Sequence, residues 1–344
     1  MDNQKPAIPT NKARKSWSVG KILAVAIGTP TVVIGLLAAA FLTNTFTPQW
    51  FMDRVTVQNY QPSEVIAQTV ERSGMNEHGR FMFYTAEPQI DEREAFNQHC
   101  AEVMNEIANV LGCYDGRIYL FDITDQRIAG VEDVTAAHEM LHAAYDRLGI
   151  LEQIRVNQLI RSELNTTTNQ TVRDAVELYS QTEPGQEINE LHSILGTEVR
   201  DLSPELAEYY SRYFADRDKV LTANEKYNAV FDKMQQRADE LEGLLGDLET
   251  EINSLSSSYD AAAGQLSRDI DSFNSRADSG SFTSESSFYA ERSGLLRRQN
   301  QLSTQLNKVN AKIDEYNKYV KEVQALGRDS EGLQKNMSSQ EKIE

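Results

Sequence analysis

Cysteine and basic residues are scarce in this 344-residue sequence, and each shortage excludes a class of protein. Two cysteines cannot make a disulfide-rich scaffold or a zinc site of four thiolates. The 34 basic residues face 52 acidic ones, and the net charge of -18 argues against a nucleic-acid partner because phosphate binding needs a basic face. The hydrophobic share of 40% is low for a compact globule, which predicts a folded core beside a long solvated segment.

Charge is absent from one stretch near the N-terminus. Residues 22–42 are a run of 21 without a charged side chain, and as a helix they span about 30 Å, the thickness of the hydrocarbon core of a bilayer. Residues 1–21 carry five basic side chains and one acidic one, a net charge of +4 (5 minus 1). This pattern predicts a single-pass transmembrane helix in the cell membrane, with a cytoplasmic N-terminus and residues 43–344 outside the cytoplasm. A cleaved signal peptide is the alternative, although its apolar run is shorter, about 7–15 residues.

Residues 54–217 have the composition of a globular domain. Within it, residues 80–84 and 117–123 have the β-branched and aromatic content of strands, and Asp115-Gly116 precedes the second in the pattern of a tight hairpin. A helix is predicted from about residue 134 to 148, and the remainder of the domain has helical periodicity. We therefore predict an α+β fold, with a small antiparallel sheet, one central helix and a helical half.

A heptad pattern begins after residue 219. Apolar residues recur at alternating spacings of three and four from Phe231 to Tyr259 and again from Leu302 to Val323, with a Ser- and Gly-rich break between them. Two such helices predict an antiparallel coiled-coil hairpin, and pairing between separate chains has the same signature. The expected order is a basic cytoplasmic tail, a transmembrane helix, a juxtamembrane linker, the globular domain, the coiled-coil hairpin and a disordered polar tail, at residues 1–21, 22–42, 43–53, 54–217, 218–326 and 327–344.

The predicted central helix contains an HExxH motif, His138-Glu139-Met140-Leu141-His142. Residues i and i+4 share a helical face, so both imidazoles can bind one zinc ion. Glu139, one step round the helix, can reach a water on that ion as a general base. With five histidines in the chain, chance produces this motif in about one such sequence per hundred. The residues therefore predict a Zn2+ site in which His138 and His142 are ligands.

This stretch resembles the active-site helix of the zincin metallopeptidases, and the resemblance covers roughly residues 80–200. It implies a zincin-like catalytic domain in which His138 and His142 bind zinc and Glu139 is the catalytic base. It also implies an edge strand before the helix that holds an extended peptide or protein substrate, and the candidates are residues 117–123 and 127–131.

The third zinc ligand is left open by the sequence. The resemblance is to the gluzincin branch, which takes this ligand from a glutamate on a later helix, often within an Asn-Glu-x-x-small pattern. Residues Asn189–Ser193 match this pattern and offer Glu190. Glu198 lies eight residues further on, within about 80° of the same helical face, and is the second candidate. His192 is the third, either as a ligand or as a catalytic donor to the oxyanion of the transition state.

Two functional hypotheses follow. The first is a membrane-anchored zinc metallopeptidase that hydrolyses peptide bonds outside the cytoplasm by a zinc-activated water, with Glu139 as general base. Its coiled coil would bind a protein partner or self-associate, and its anchor would lie in the lipid bilayer. The second is a non-enzymatic scaffolding protein of the cell envelope that acts through the coiled coil and has a structural or vestigial zinc site. Glu139 favours the first, because a structural site needs no base between its ligands.

The two cysteines, Cys100 and Cys113, are open to two interpretations. If residues 100–113 formed one helix, the pair would lie roughly 20 Å apart, too far for a disulfide. If Cys113 lies on the strand before Asp115-Gly116, the chain can fold back and bring them together. A disulfide and a pair of buried thiols both remain possible at this stage.

Overall fold

A computed structural model describes residues 48–101, 110–182 and 185–338, and these residues are mostly helical. They contain three short strands, which form one sheet in the order β1-β3-β2; the strands are β1 (Gln89–Asp91), β2 (Gly112–Tyr114) and β3 (Ile118–Phe121). The helices of the described ranges are α1 (Pro48–Asn59), α2 (Glu64–Arg72), α3 (Glu77–Thr85), α4 (Arg93–His99), α5 (Gly130–Asp146), α6 (Ile150–Thr166), α7 (Gln170–Thr182), α8 (Glu187–Thr197), α9 (Pro204–Tyr210), α10 (Arg217–Asp278) and α11 (Glu285–Met337).

The predicted α+β fold is wrong. The sheet contains only strands of three, three and four residues, so it is too small to form one layer of an α+β domain. Residues 80–84, predicted as a strand, lie inside α3, and residues 127–131 form a turn and the first residues of α5. The Asp115-Gly116 hairpin is present between β2 and β3, with Gly116 at φ +99°.

No helix within residues 48–101, 110–182 and 185–338 combines the length and the apolar character that a membrane span requires. The predicted span, residues 22–42, lies outside the residues that the structure describes. This finding stands against the expected single-pass membrane localisation, and that expectation is corrected accordingly.

The start of α3 explains why a strand-like sequence is helical. The side-chain oxygen of Asn76 accepts hydrogen bonds from the backbone N–H groups of His78 and Gly79, and so caps the first turn. Gly79 also lies against the backbone of Tyr213, where a Cβ would be only 2.2 Å from the carbonyl oxygen. A cap and a close tertiary approach therefore outweigh the strand propensity of the aromatic residues that follow.

The described residues fall into two compact units. One contains residues 48–89, 112–119 and 136–219, and the other contains residues 90–111, 120–135 and 220–338, in each case within the described ranges. The first unit has a core of large, fully buried side chains that includes Ile66, Phe83, Leu141, Leu191 and Tyr210. The HExxH motif lies in this unit.

The second unit contains the paired portions of α10 and α11, which form an antiparallel hairpin. Ion pairs join the two helices along their length, and their partners run in opposite sequence order; they are Arg237–Glu322 (2.7 Å), Lys312–Glu251 (3.0 Å) and Arg298–Asp269 (2.5 Å). At the tip, the rings of Phe273, Phe282 and Phe288 lie 5.1–5.2 Å apart and close the end of the hairpin. The two heptad segments therefore pair within one chain.

The polar segment predicted as a disordered tail from residue 327 is helical as far as Met337. Leu333 is fully buried, and the guanidinium of Arg93 donates hydrogen bonds to the carbonyl oxygens of Lys335 (3.1 Å) and Ser338. A cation at these carbonyls satisfies the exposed acceptors of a helix C-terminus. These tertiary contacts stabilise the helical conformation of a segment whose polar composition predicts disorder.

Both cysteines of the chain are disulfide-bonded and buried. Cys113 lies in β2, the strand that precedes the Asp115-Gly116 turn, which is the placement that allows the chain to fold back toward Cys100. The structure therefore selects the disulfide from the two alternatives that the sequence left open.

A buried ion pair in the first unit supplies a test of this packing. Asp53 on α1 accepts hydrogen bonds of 3.1 Å from two guanidinium nitrogens of Arg147, and the two side chains are only 8% and 9% exposed. Arg147 also donates to the hydroxyl of Tyr114 at 3.0 Å. We expect Asp53→Ala to lower the free energy of unfolding by about 3–5 kcal/mol, because it removes the carboxylate that accepts two hydrogen bonds from a largely buried guanidinium.

Chemical denaturation followed by circular dichroism and tryptophan fluorescence measures this loss. The matched control is Asp218→Ala, which breaks the exposed ion pair to Arg200 (2.9 Å) and is expected to cost less than about 1 kcal/mol. Equal losses in the two variants would contradict a special role for the Asp53–Arg147 pair.

Candidate metal centre

Helix α5 places His138 and His142 side by side. Their spacing of four residues puts both imidazoles on one face, and the ring centroids lie 4.8 Å apart. The helix itself is held in the core, because six of the residues around the histidines are at most 1% exposed: Ala136, Ala137, Met140, Leu141, Ala143 and Ala144. A helix packed this tightly gives its polar side chains little freedom to reorient.

Helix α8 brings Glu190 to the two imidazoles. Its carboxylate oxygens lie 3.6 Å from His138 Nε2 and 3.4 Å from His142 Nε2. One ligand atom from each of the three residues lies within 4.8 Å of the other two, so this group could hold a metal ion. Ligand atoms at 2.0–2.2 Å from a tetrahedral ion lie about 3.4 Å from one another, and each imidazole nitrogen has a different oxygen of Glu190 at about this separation.

Close packing between α8 and α5 makes this approach possible. A Cβ on Gly196 of α8 would lie 2.3 Å from the side chain of Leu141 on α5 and 2.8 Å from the ring of Tyr210. Only a residue without a side chain fits there, so the two helices touch at Gly196. Leu141 lies between the two histidines in sequence, and the contact therefore sets α8 beside the face that carries them.

Asn189 orients one of the two histidines. His142 Nδ1 lies 3.1 Å from the side-chain oxygen of Asn189. An amide oxygen only accepts hydrogen bonds, so Nδ1 carries the hydrogen and the lone pair of Nε2 is directed toward Glu190. The asparagine of the Asn-Glu-x-x-small pattern thus has a direct role in the arrangement.

The electrostatics of the cluster favour a bound cation. Burial by itself lowers the pKa of His138, but the neighbouring carboxylates, chiefly that of Glu190, outweigh it and raise this pKa to about 9. Burial lowers the pKa of His142 to about 4, and the charge of His138 acts in the same direction. For Glu190 the positive neighbours outweigh burial, so its pKa falls below the ordinary value. A buried carboxylate facing two imidazole nitrogens is an environment that positive charge stabilises.

Glu139 is 6% exposed and follows the first histidine on α5. Its charge is among those that raise the pKa of His138, the residue before it on the helix. It is outside the group of three ligand atoms. Glu139 is therefore placed beside the candidate metal position without occupying a ligand position in the described residues.

The other two candidates for the third ligand are outside the group of three ligand atoms, although the charge of Glu198 is among those that raise the pKa of His138. Glu198 follows α8 as its C-terminal cap residue, and burial raises its pKa. His192 lies on the opposite side of α8 from Glu190, where its Nε2 is 2.9 Å from the hydroxyl of Tyr209. Burial lowers the pKa of His192 to about 3, so this ring is neutral in the core. The structure brings Glu190, and neither Glu198 nor His192, into the group with the two histidines.

Sequence reasoning missed one neighbour of the cluster. The hydroxyl of Tyr179, on α7, donates a hydrogen bond to the Glu190 carboxylate and contributes to its lowered pKa. No motif marks this tyrosine, which is eleven residues before Glu190 in the sequence and meets it only through the packing of α7 against α8. Asn189, by contrast, could have been identified from its place in the pattern.

The strand predicted to hold the substrate does not lie at an edge of the sheet. Residues 117–123 contain β3, which is the central strand of the sheet and has both neighbours paired. The edge strands are β1 and β2.

Comparison with protein-family models, with curated proteins and with solved structures finds no match to this chain.

Proposed function

We propose that this chain is a zinc-dependent metallopeptidase, with His138, His142 and Glu190 as the metal ligands and Glu139 as the general base. The observation that carries the proposal is the approach of Glu190 to the Nε2 atoms of both HExxH histidines, at 3.6 and 3.4 Å. A glutamate distant in sequence thus approaches the two histidines of the motif, where the resemblance to gluzincins requires a third ligand.

The donor set supports zinc over other common ions. Two imidazole nitrogens and one carboxylate oxygen are typical ligands of zinc, whereas magnesium and calcium prefer oxygen ligands alone. Three protein ligands are also the number found in catalytic zinc sites, which keep one position for water or substrate, while structural sites are closed by four. The described residues offer three at this position.

In the proposed reaction, the metal ion and the protein side chains have different roles. Zinc bound here supplies an acidified water and polarises the carbonyl of the scissile peptide bond. Glu139 takes the proton from the attacking water and delivers it to the leaving amine, which needs a carboxylate near the ion that is not itself a ligand. Asn189 and Tyr179 hold His142 and Glu190 in orientation through hydrogen bonds.

Metal removal tests the proposal. We expect the purified chain to contain one zinc ion per molecule and to hydrolyse a mixed peptide library. Treatment with 1,10-phenanthroline should abolish hydrolysis, and Zn2+ should restore it where Mg2+ does not. Hydrolysis that survives complete loss of the metal would contradict the proposal. Stoichiometric zinc without hydrolysis of any peptide in the library would favour the scaffolding hypothesis, in which the site is structural.

A further inference from the structure

Arg217, the first residue of the long helix α10, is bonded to the end of the helix that carries Glu190. Its Nε donates to the carbonyl oxygen of Gly196 at 2.8 Å, and its Nη2 donates to that of Leu195 at 2.7 Å. A third hydrogen bond joins Nη2 to the carbonyl oxygen of Val199. The guanidinium also lies 5.5 Å from the centre of the Tyr210 ring. One side chain thus binds three carbonyls at the C-terminal end of α8.

These bonds are of a kind that fixes a helix in place. The last four carbonyls of an α-helix have no partner within it, and a cation at that end also interacts favourably with the helix dipole. The planar guanidinium offers several donors in a fixed geometry, so three simultaneous bonds restrict both the position and the rotation of the helix end. Tyr210, which packs against Gly196, is part of the same contact.

Because Glu190 lies on the same helix, anchoring the C-terminal end of α8 also fixes the position of Glu190. Glu190 precedes Gly196 by six residues, which is about 9 Å along the helix axis. A tilt of about 10° at the Gly196 end therefore moves Glu190 by about 1.6 Å. Zinc ligands must lie within about 0.2 Å of their ideal distances, so a displacement of this size disrupts coordination.

We propose that Arg217 is a positioning residue for the metal centre, which sets Glu190 against His138 and His142 by anchoring the C-terminal end of α8. The inference rests on the metal-binding part of the proposed function and not on peptide hydrolysis. It also means that the hairpin helix α10 begins at a residue on which the metal ligand depends. Among the described residues, the side-chain hydrogen bonds of Arg217 go to backbone carbonyls, and none goes to His138, His142 or Glu190.

Zinc affinity measures the effect directly. We expect Arg217→Gln to weaken zinc binding by about 10–100-fold, in a competition titration against a chromophoric chelator, with Arg217→Lys intermediate because lysine restores the charge but not the fork of donors. The matched control is Arg200→Gln, which removes an exposed arginine paired with Asp218, and its affinity should equal that of the unchanged chain.

A double-mutant cycle separates positioning from general destabilisation. If Arg217 acts through Glu190, then Arg217→Gln should change zinc affinity by less than about 2-fold when Glu190 is already alanine. An equal loss in both backgrounds overturns the proposal, and so does an unchanged affinity in the Arg217 variants. If Arg217→Gln does not fold by circular dichroism, Arg217→Lys is taken through the same cycle with the same two deciding outcomes.

The outcomes also distinguish this inference from the proposed function. The double-mutant cycle measures zinc binding alone. A chain that binds zinc and hydrolyses no peptide would therefore refute the proposed peptidase activity. The role of Arg217 would still be decided by the measured zinc affinities. A chain that binds no zinc at all overturns both.

Discussion

Replacing Glu139 with glutamine is expected to reduce peptide hydrolysis by about 10²–10⁴-fold while the zinc content stays unchanged. Glutamine keeps the size and much of the hydrogen bonding of glutamate but cannot accept a proton, so the water near the metal loses its base. Because Glu139 is not one of the three ligands, the ion should still be held by His138, His142 and Glu190. Hydrolysis of a peptide library, with zinc measured on the same samples, reports both quantities.

The control for this experiment is Glu132→Gln, the same chemical change on the same helix two turns earlier. It should leave both hydrolysis and zinc content close to those of the unchanged chain. A Glu139→Gln variant that keeps zinc and full activity would refute the proposed mechanism. Loss of zinc together with activity would show instead that Glu139 helps to bind the ion, and the general-base assignment would fail.

Two of the features that the sequence predicts correctly depend on local patterns alone. The HExxH spacing needs only a helix to bring His138 and His142 together, and α5 provides it. The Asp115-Gly116 hairpin likewise depends on two residues and their immediate neighbours. Each of these patterns is complete within about ten residues, so no distant contact is required to interpret it.

The errors arise where distant contacts decide. Residues 80–84 have strand-like composition, yet the cap at Asn76 and the contact of Gly79 with the Tyr213 backbone, more than 130 residues away in sequence, make them helical. The segment after residue 327 is polar, yet Leu333 is buried. Composition averages over such residues, and a single buried contact of this kind is enough to fix a segment.

At the candidate metal site, too, contacts between residues distant in sequence decide what the sequence leaves open, which is the identity of the third ligand. The sequence offers Glu190 through the Asn-Glu-x-x-small pattern, with Glu198 and His192 as alternatives on or next to the same helix. The structure separates them into a member of the possible metal-binding group, a helix cap and a core residue, and this separation follows from how α8 packs on α5. That packing depends on Gly196, whose importance lies in the space it leaves for Leu141 and not in any chemistry of its own.

Alanine in place of Glu190 is expected to weaken zinc binding by at least about 100-fold, whereas Glu198→Ala should remain close to the unchanged chain. Glu190 supplies one of three ligand atoms at distances that fit a tetrahedral ion, so its loss leaves two imidazoles to hold the metal. Glu198 is outside the group of ligand atoms, and its charge reaches the site only through space. Titration of both variants with Zn2+ under identical conditions measures the difference.

The pair of variants is informative because the two residues are so alike. Both are glutamates at the same helix, and both are largely withdrawn from water, so a general effect of losing a buried carboxylate would appear in each. A zinc affinity that falls equally in the two would mean that the cluster binds through charge alone and has no defined ligand geometry. A larger loss in Glu198→Ala would move the third ligand to that residue. The expected ordering therefore requires the specific approach of Glu190 to both Nε2 atoms, which is the geometry on which the proposed catalytic site depends.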